Sequence, residues 1–224
     1  MAFTISTFTD SLSYFLSGAL VTLEIVILAL LIGFVLGMIL MIGQVYGPKP
    51  ARAVVVAYVW FFRGLPNLIL LFLFYFIFIP SAPVIVVAVV VLGMRSAAYQ
   101  SQIFRGVVQG ISEGQMQAAR SLGMTRFQAI RTIIIPQALR LALPSWANEY
   151  PVLLTDSAVA SAIGVTELLT SVNHRIAATG DALILYIGCA LIFILLNYGG
   201  MLLIQKIEEK VRIPGFGNTE GDML

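Results

Sequence analysis

The chain has 224 residues, of which 59% are hydrophobic and only 11% charged, with a formal net charge of +2. Soluble domains are usually about a quarter charged, so this balance excludes a soluble globular enzyme or binding module and describes an integral membrane protein. The slight positive charge gives no reason to invoke nucleic acid, and a single cysteine, Cys189, and a single histidine, His174, make neither a disulfide framework nor a metal site.

Residues 1–224 leave no room for a separate soluble domain beside the apolar runs, so one transmembrane domain is expected. A helical span needs about 20 mostly apolar residues. Five runs qualify, at roughly 17–43, 53–79, 83–107, 136–160 and 182–205. The first lacks the design of a cleavable signal and is expected to be retained; it contains Gly33 and Gly37 at the small-xxx-small spacing of helix contacts. Gly47, Pro48 and Pro50 break the chain after it. The second run carries aromatic clusters at Trp60–Phe62 and Phe72–Phe78, which read as lipid-facing or packing residues, and Pro80 and Pro83 make a tight hairpin into the third.

Between the third and fourth runs, 112–135 is polar and basic. Ser112 with Gln115 is suited to start a helix, Ala118 and Ala119 keep one face slim, and Gly123 is placed to end it; a second helical stretch runs from Thr125 toward Pro136. Two readings stand at this point: an amphipathic loop resting on the bilayer surface, or a docking knob that enters a groove on a partner. Lys49, Arg52, Arg105, Arg120, Arg126, Arg131, Arg140, Lys206, Lys210 and Arg212 fall on one side of a five-span chain, with Arg175 on the other. The amino terminus is therefore expected outside and the carboxy terminus in the cytoplasm. Glu167 and Asp181 fall on the outer side, His174 in a solvated outer connector, and the tail from Gly215 is expected to fray.

The polar segment carries a motif. Gln117-Ala118-Ala119, Gly123 and Ile133-Ile134-Ile135-Pro136-Gln137-Ala138 resemble the cytoplasmic signature of the inner-membrane permease subunits of ABC importers, specifically the polar amino acid uptake group of histidine, glutamine and glutamate type. The likeness extends to Ser17–Leu23, Phe62-Arg63-Gly64-Leu65-Pro66, Ala98-Tyr99 through Arg105-Gly106, Asp156-Ser157 through Leu168, and Arg212-Ile213-Pro214-Gly215. The resemblance implies an all-α, five-span, type I importer-like fold in the cell inner membrane. It also implies a second permease subunit, identical or related, ATP-binding cassette ATPases docked on the loop, and an extracytoplasmic binding protein that delivers the amino acid. Gln115, Gln117, Ala118, Ala119, Leu122, Gly123 and Phe127 are the coupling residues it implies, and alternating access the mechanism. The usual family glutamates are replaced by Gln102 and Gln117, and a frequent lysine by Thr155. Gln117 keeps the shape of Glu without the charge. No G-x-x-x-x-G-K-[ST] phosphate loop is present, so this chain is expected to hydrolyse no ATP itself and to be no enzyme.

Ionisable groups inside spans are costly and are functional candidates by default. From helix rise, Arg63 lies about 16 Å in from Arg52, Arg95 about 15 Å in from Arg105, and Glu149 about 20 Å in from Pro136, while Asp156 shares the face of Glu149 about 10 Å nearer the outside. One reading is an Arg–Glu pair that locks helices together. The other is a substrate site, in which Glu149 and Asn148 receive an ammonium, Arg95 or Arg63 a carboxylate, and Asp156 lines the outer end of the route. An unpaired Arg95 would favour an acidic or amide amino acid. A rival function is an ATP-independent channel or ion-coupled carrier with these charges as relay groups and the loop as a lipid-headgroup anchor. A membrane-embedded enzyme is disfavoured, because Glu149 and Asp156 come with no nucleophile–base or metal-ligand set.

Overall fold

The computed structural model describes residues 10–111 and 113–211; the Ser112 cap and the Arg212–Gly215 ending lie outside them. Every regular element among the described residues is helical. Three helices are long and apolar enough to cross a membrane, and the number rises to five if each of two bent helix pairs counts as one span.

Helix α1, Leu12–Tyr46, has 35 residues and so a length of about 52 Å, well over the hydrocarbon thickness. It is apolar all round, and burial rather than polarity distinguishes its faces. Ile25, Val26, Ala29, Gly33, Gly37 and Met41 are buried at helical spacing, whereas Leu20, Leu31, Val35 and Ile39 are exposed. That exposed side suits lipid, where an apolar surface needs no cover. α2, Lys49–Gly64, starts behind Pro48 with Pro50 in its first turn, the position where a missing N–H costs nothing. The run expected as one span at 53–79 divides at Leu65-Pro66. Leu65 is extended (φ −102°, ψ 141°), as a residue before proline tends to be, and α3, Asn67–Leu73, continued by a wider turn over Phe74–Phe78, leaves at 111° to α2.

α4, Val84–Gly110, is the most enclosed of the long helices. It packs along α1, and the Gly33/Gly37 spacing turns out to serve this seam inside the subunit: an atom added at Gly33 would meet Ser96 and Gln100, and one added at Gly37 would meet Gln100 and Ser101. The polar loop folds as α5, Glu113–Ser121, then α6, Arg126–Ala129, and a wider turn over Ile130–Ile134. The run expected at 136–160 is likewise divided, into α7, Ile135–Ala147, and α8, Glu149–Ser157, followed by a 3-10 segment, Ala158–Ile163. Pro151 cannot donate the bond that would continue the helix onto the Ala147 carbonyl, which explains the break at Asn148.

After Gly164, at φ +89°, buried Glu167 caps α9, Leu168–Thr179; its carboxylate accepts the N–H groups of Leu169 and Thr170, both at 2.8 Å. The Leu168 N–H donates to Thr22 Oγ1 of α1. His174, expected in a connector, is exposed on α9. α10, Ala182–Val211, closes the described chain; Cys189 is buried on it, and the Tyr150 ring lies over Gly200 with its hydroxyl donating to the Leu196 carbonyl at 2.7 Å.

Candidate functional site

Three charged positions meet where α2, α4 and α8 face one another. The Arg95 guanidinium pairs with the Asp156 carboxylate at 2.5 Å, both side chains about four-fifths buried (18% and 19% exposed). The ring of Tyr99, one turn along α4, is held between two cations: the Arg63 guanidinium carbon is 4.8 Å from its centroid and that of Arg95 4.9 Å. Each contact of this kind stabilises by about 0.5–2 kcal/mol, most where water is excluded. Arg63 itself is exposed at the end of α2, where Pro66 has turned the chain away.

Among the described residues Glu149 has no ion-pair partner within 4 Å. It is buried at the first position of α8 and accepts a hydrogen bond from Ser96 Oγ at 2.9 Å. The Arg–Glu lock among the sequence readings is thus replaced by an Arg95–Asp156 pair beside a separate Glu149–Ser96 contact. Behind Ser96 runs a chain of buried polar groups. Gln100 Nε2 donates to Ser96 Oγ at 2.9 Å, and Gln100 Oε1 accepts from the Trp146 indole N–H at 2.7 Å. Asn148 sits at the α7/α8 junction but is exposed and makes no hydrogen bond with Glu149. Ser96, Tyr99, Gln100 and Trp146 were not among the sequence candidates. Ser96 and Gln100 share one helix face, four residues apart in an apolar helix, and that spacing is the signal that could have found them.

On the Arg63 side of Tyr99 a cavity of about 460 Å³ opens between α1, α2 and α4. Arg63, Tyr99, Gln102 and Arg105 line it together with Gln44 and Trp60. Gln102 is held at both ends of its amide: Nε2 donates to Gln44 Oε1 and Oε1 accepts from Arg105 Nε, each at 2.9 Å.

The loop presents a second surface. α5 ends at Gly123, whose φ of +81° is a left-handed conformation that favours glycine. The Gly123 N–H bonds the Arg120 carbonyl and the Met124 N–H the Ala119 carbonyl, the paired closure of a Schellman turn. Two residues on, Thr125 and Gln128 cap α6 reciprocally. This compact turn projects two large apolar side chains, Leu122 at 80% exposure and Phe127 at 70%. Ala118 is exposed beside them, whereas Ala119 is buried within the subunit. Gln117 is exposed, and Gln115 is tethered to Gln137 at 3.4 Å. The Arg126 guanidinium lies 5.5 Å from the Tyr46 ring at the end of α1.

Bent and straight membrane helices around an internal charged cluster, with a capped helical knob on the loop between them, are the arrangement of a multi-pass permease component. The family model described as "Binding-protein-dependent transport system inner membrane component" matches residues 29–213, and the chain belongs to that family. It is 32% identical to the arginine ABC transporter permease protein ArtM of Haemophilus influenzae, over 91% of this chain and 95% of that one. It is 29% identical to the histidine/lysine/arginine/ornithine transport system permease protein HisM of Escherichia coli K12, over 88% of each. Among solved structures, an amino acid ABC transporter aligns with a TM-score of 0.85 at 31% identity, over 94% of this chain and all of that one. The MetNI methionine transporter in an inward-facing conformation shares the fold, with a TM-score of 0.74 at 24% identity over 90% and 98% of the two chains.

Proposed function

We propose that this chain is the permease subunit of an ATP-driven importer for a polar amino acid, with its amino terminus outside the cell and its carboxy terminus in the cytoplasm. The observation that carries this reading is the cluster of Arg63, Arg95, Asp156 and Glu149 where α2, α4 and α8 face one another, two signs of charge brought together among the membrane helices. A zwitterion needs both signs. Asp156 and Glu149 suit its ammonium and the arginines its carboxylate, with Asn148 at the exposed entrance to Glu149. The names of ArtM and HisM support amino acids as the substrate class.

In this reading Leu122 and Phe127 enter a groove on an ATP-binding cassette ATPase, with Gln115, Gln117, Ala118 and the Gly123 turn around them. Two ATPases drawn together by ATP move the loops of two permease subunits, and the pathway opens toward an extracytoplasmic binding protein. The permease contributes the two states and their coupling; nucleotide hydrolysis contributes the drive. Membrane vesicles test it. Uptake should stop when internal ATP is depleted and persist with an uncoupler alone. Glu149→Lys should abolish uptake with the complex still assembled; uptake that survives this change, or that the uncoupler alone collapses, would sink the reading.

A further inference from the structure

The cavity beside Tyr99 is lined by two guanidinium groups and no carboxylate. Among the described residues neither Arg63 nor Arg105 has an ion-pair partner within 4 Å. Arg105 spends only its Nε, on the Gln102 carbonyl, and its terminal N–H groups remain for another acceptor. Gln102 does not neutralise it, because an amide brings no charge and this one is already committed to Gln44 through its nitrogen. The Arg63 guanidinium lies 4.8 Å from the Tyr99 ring centroid, a contact that takes up none of its N–H groups in an ion pair. The volume, about 460 Å³, falls within the range of small-molecule sites.

The charge of the lining points the same way. Arg63 and Arg105 bring two positive charges to the cavity and no side chain lining it is acidic, whereas Arg95 is paired with Asp156 outside it. An amino acid with an acidic side chain brings two carboxylates, a neutral one brings one, and a basic one adds a cation of its own. Arg takes a carboxylate through two parallel hydrogen bonds, and two such guanidinium groups on one cavity suit a ligand with two carboxylates. We infer that this cavity accepts a side-chain carboxylate and that the amino acid carried by this chain is acidic. The inference rests on the importer reading above and departs from the basic amino acids in the names of ArtM and HisM.

Equilibrium binding of radiolabelled L-glutamate, L-glutamine and L-arginine to the purified permease–ATPase complex, without nucleotide or binding protein, tests it. Glutamate should bind tightest. Arg105→Gln should weaken glutamate about tenfold with less than about a threefold change for glutamine, the size expected for a lost charge-assisted hydrogen bond. Gln102→Glu, which keeps the shape and places a carboxylate against Arg105, should act the same way in a fully assembled complex. Arginine or glutamine binding tighter than glutamate, or a glutamate-to-glutamine ratio unmoved by both variants, would overturn the acidic assignment alone. Binding of none of the three, together with solute movement that needs no ATP, would overturn the importer reading with it.

Discussion

Gly33→Ala tests the seam that holds the charged cluster in place. A Cβ at Gly33 would stand 2.4 Å from Gln100 Nε2, 2.8 Å from Ser96 Oγ and 3.0 Å from Ser96 Cβ. Gln100 cannot simply swing aside, because its amide also accepts from Trp146 and donates to Ser96. Overpacking of this kind costs about 1–3 kcal/mol, and loss of one of those hydrogen bonds adds about 1 kcal/mol. The gain in helix propensity from Gly to Ala, about 1 kcal/mol, offsets part of that, so a net destabilisation of about 1–3 kcal/mol is expected. Gly106, in the exposed part of α4, is the control: a Cβ there meets nothing within 4 Å, so Gly106→Ala should be stabilising by about 0.5–1 kcal/mol. At about 2–4 °C per kcal/mol for a chain of this length, the two variants should separate by about 3–16 °C in thermal midpoint. Loss of the monodisperse peak on size exclusion after heating in detergent gives that midpoint. Equal midpoints for Gly33→Ala and Gly106→Ala would refute the close α1/α4 contact and the fixed position of Gln100.

Asp156→Asn removes the counter-ion of Arg95 and should lower uptake more than tenfold in proteoliposomes, while Arg95→Gln/Asp156→Asn should recover assembly without recovering uptake. Leu122→Ser with Phe127→Ser changes only exposed side chains, so the thermal midpoint should stay within about 2 °C while co-elution of the ATPase is lost. Gly123→Ala places a Cβ in open space at φ +81°; its cost of about 1–2 kcal/mol is purely conformational and should appear as weakened ATPase co-elution, not as a clash. Glu167→Ala strips the cap from α9 and should destabilise by about 1–2 kcal/mol, read as a lower thermal midpoint, with Glu167→Gln intermediate because the amide keeps one acceptor oxygen.

What could be read from the sequence is what short-range rules control. Apolar length gave the helices, and the positions of Pro66 and Pro151 could have shown that two of the five expected runs would be broken, since each removes a specific backbone bond. Gly123 was expected to end a helix, and it does so at positive φ with both Schellman bonds formed. The 111° angle between α2 and α3 was out of reach, because a proline fixes where a helix stops and not which neighbour the next one packs against. Spacing along a helix likewise put Glu149 and Asp156 on one face, but partner choice between them depends on how α8 is rotated against α4. That rotation gives Arg95 to Asp156 and Ser96 to Glu149.

The chain of groups behind Glu149 gives that rotation a mechanical meaning. Trp146 belongs to α7, the helix that follows the polar loop, and Glu149 begins α8 directly after the break at Asn148. Both are anchored to the same stretch of α4, Trp146 through Gln100 and Glu149 through Ser96, and Gln100 and Ser96 are bonded to each other. In the proposed importer, a displacement of α7 driven from the loop would act on this polar chain as well as on the break. It must either part the indole from Gln100, leaving a buried amide oxygen short of a donor, or carry Gln100 and Ser96 along and with them the orientation of Glu149. In the importer proposed above, this polar chain is the path by which movement of the loop would reach Glu149.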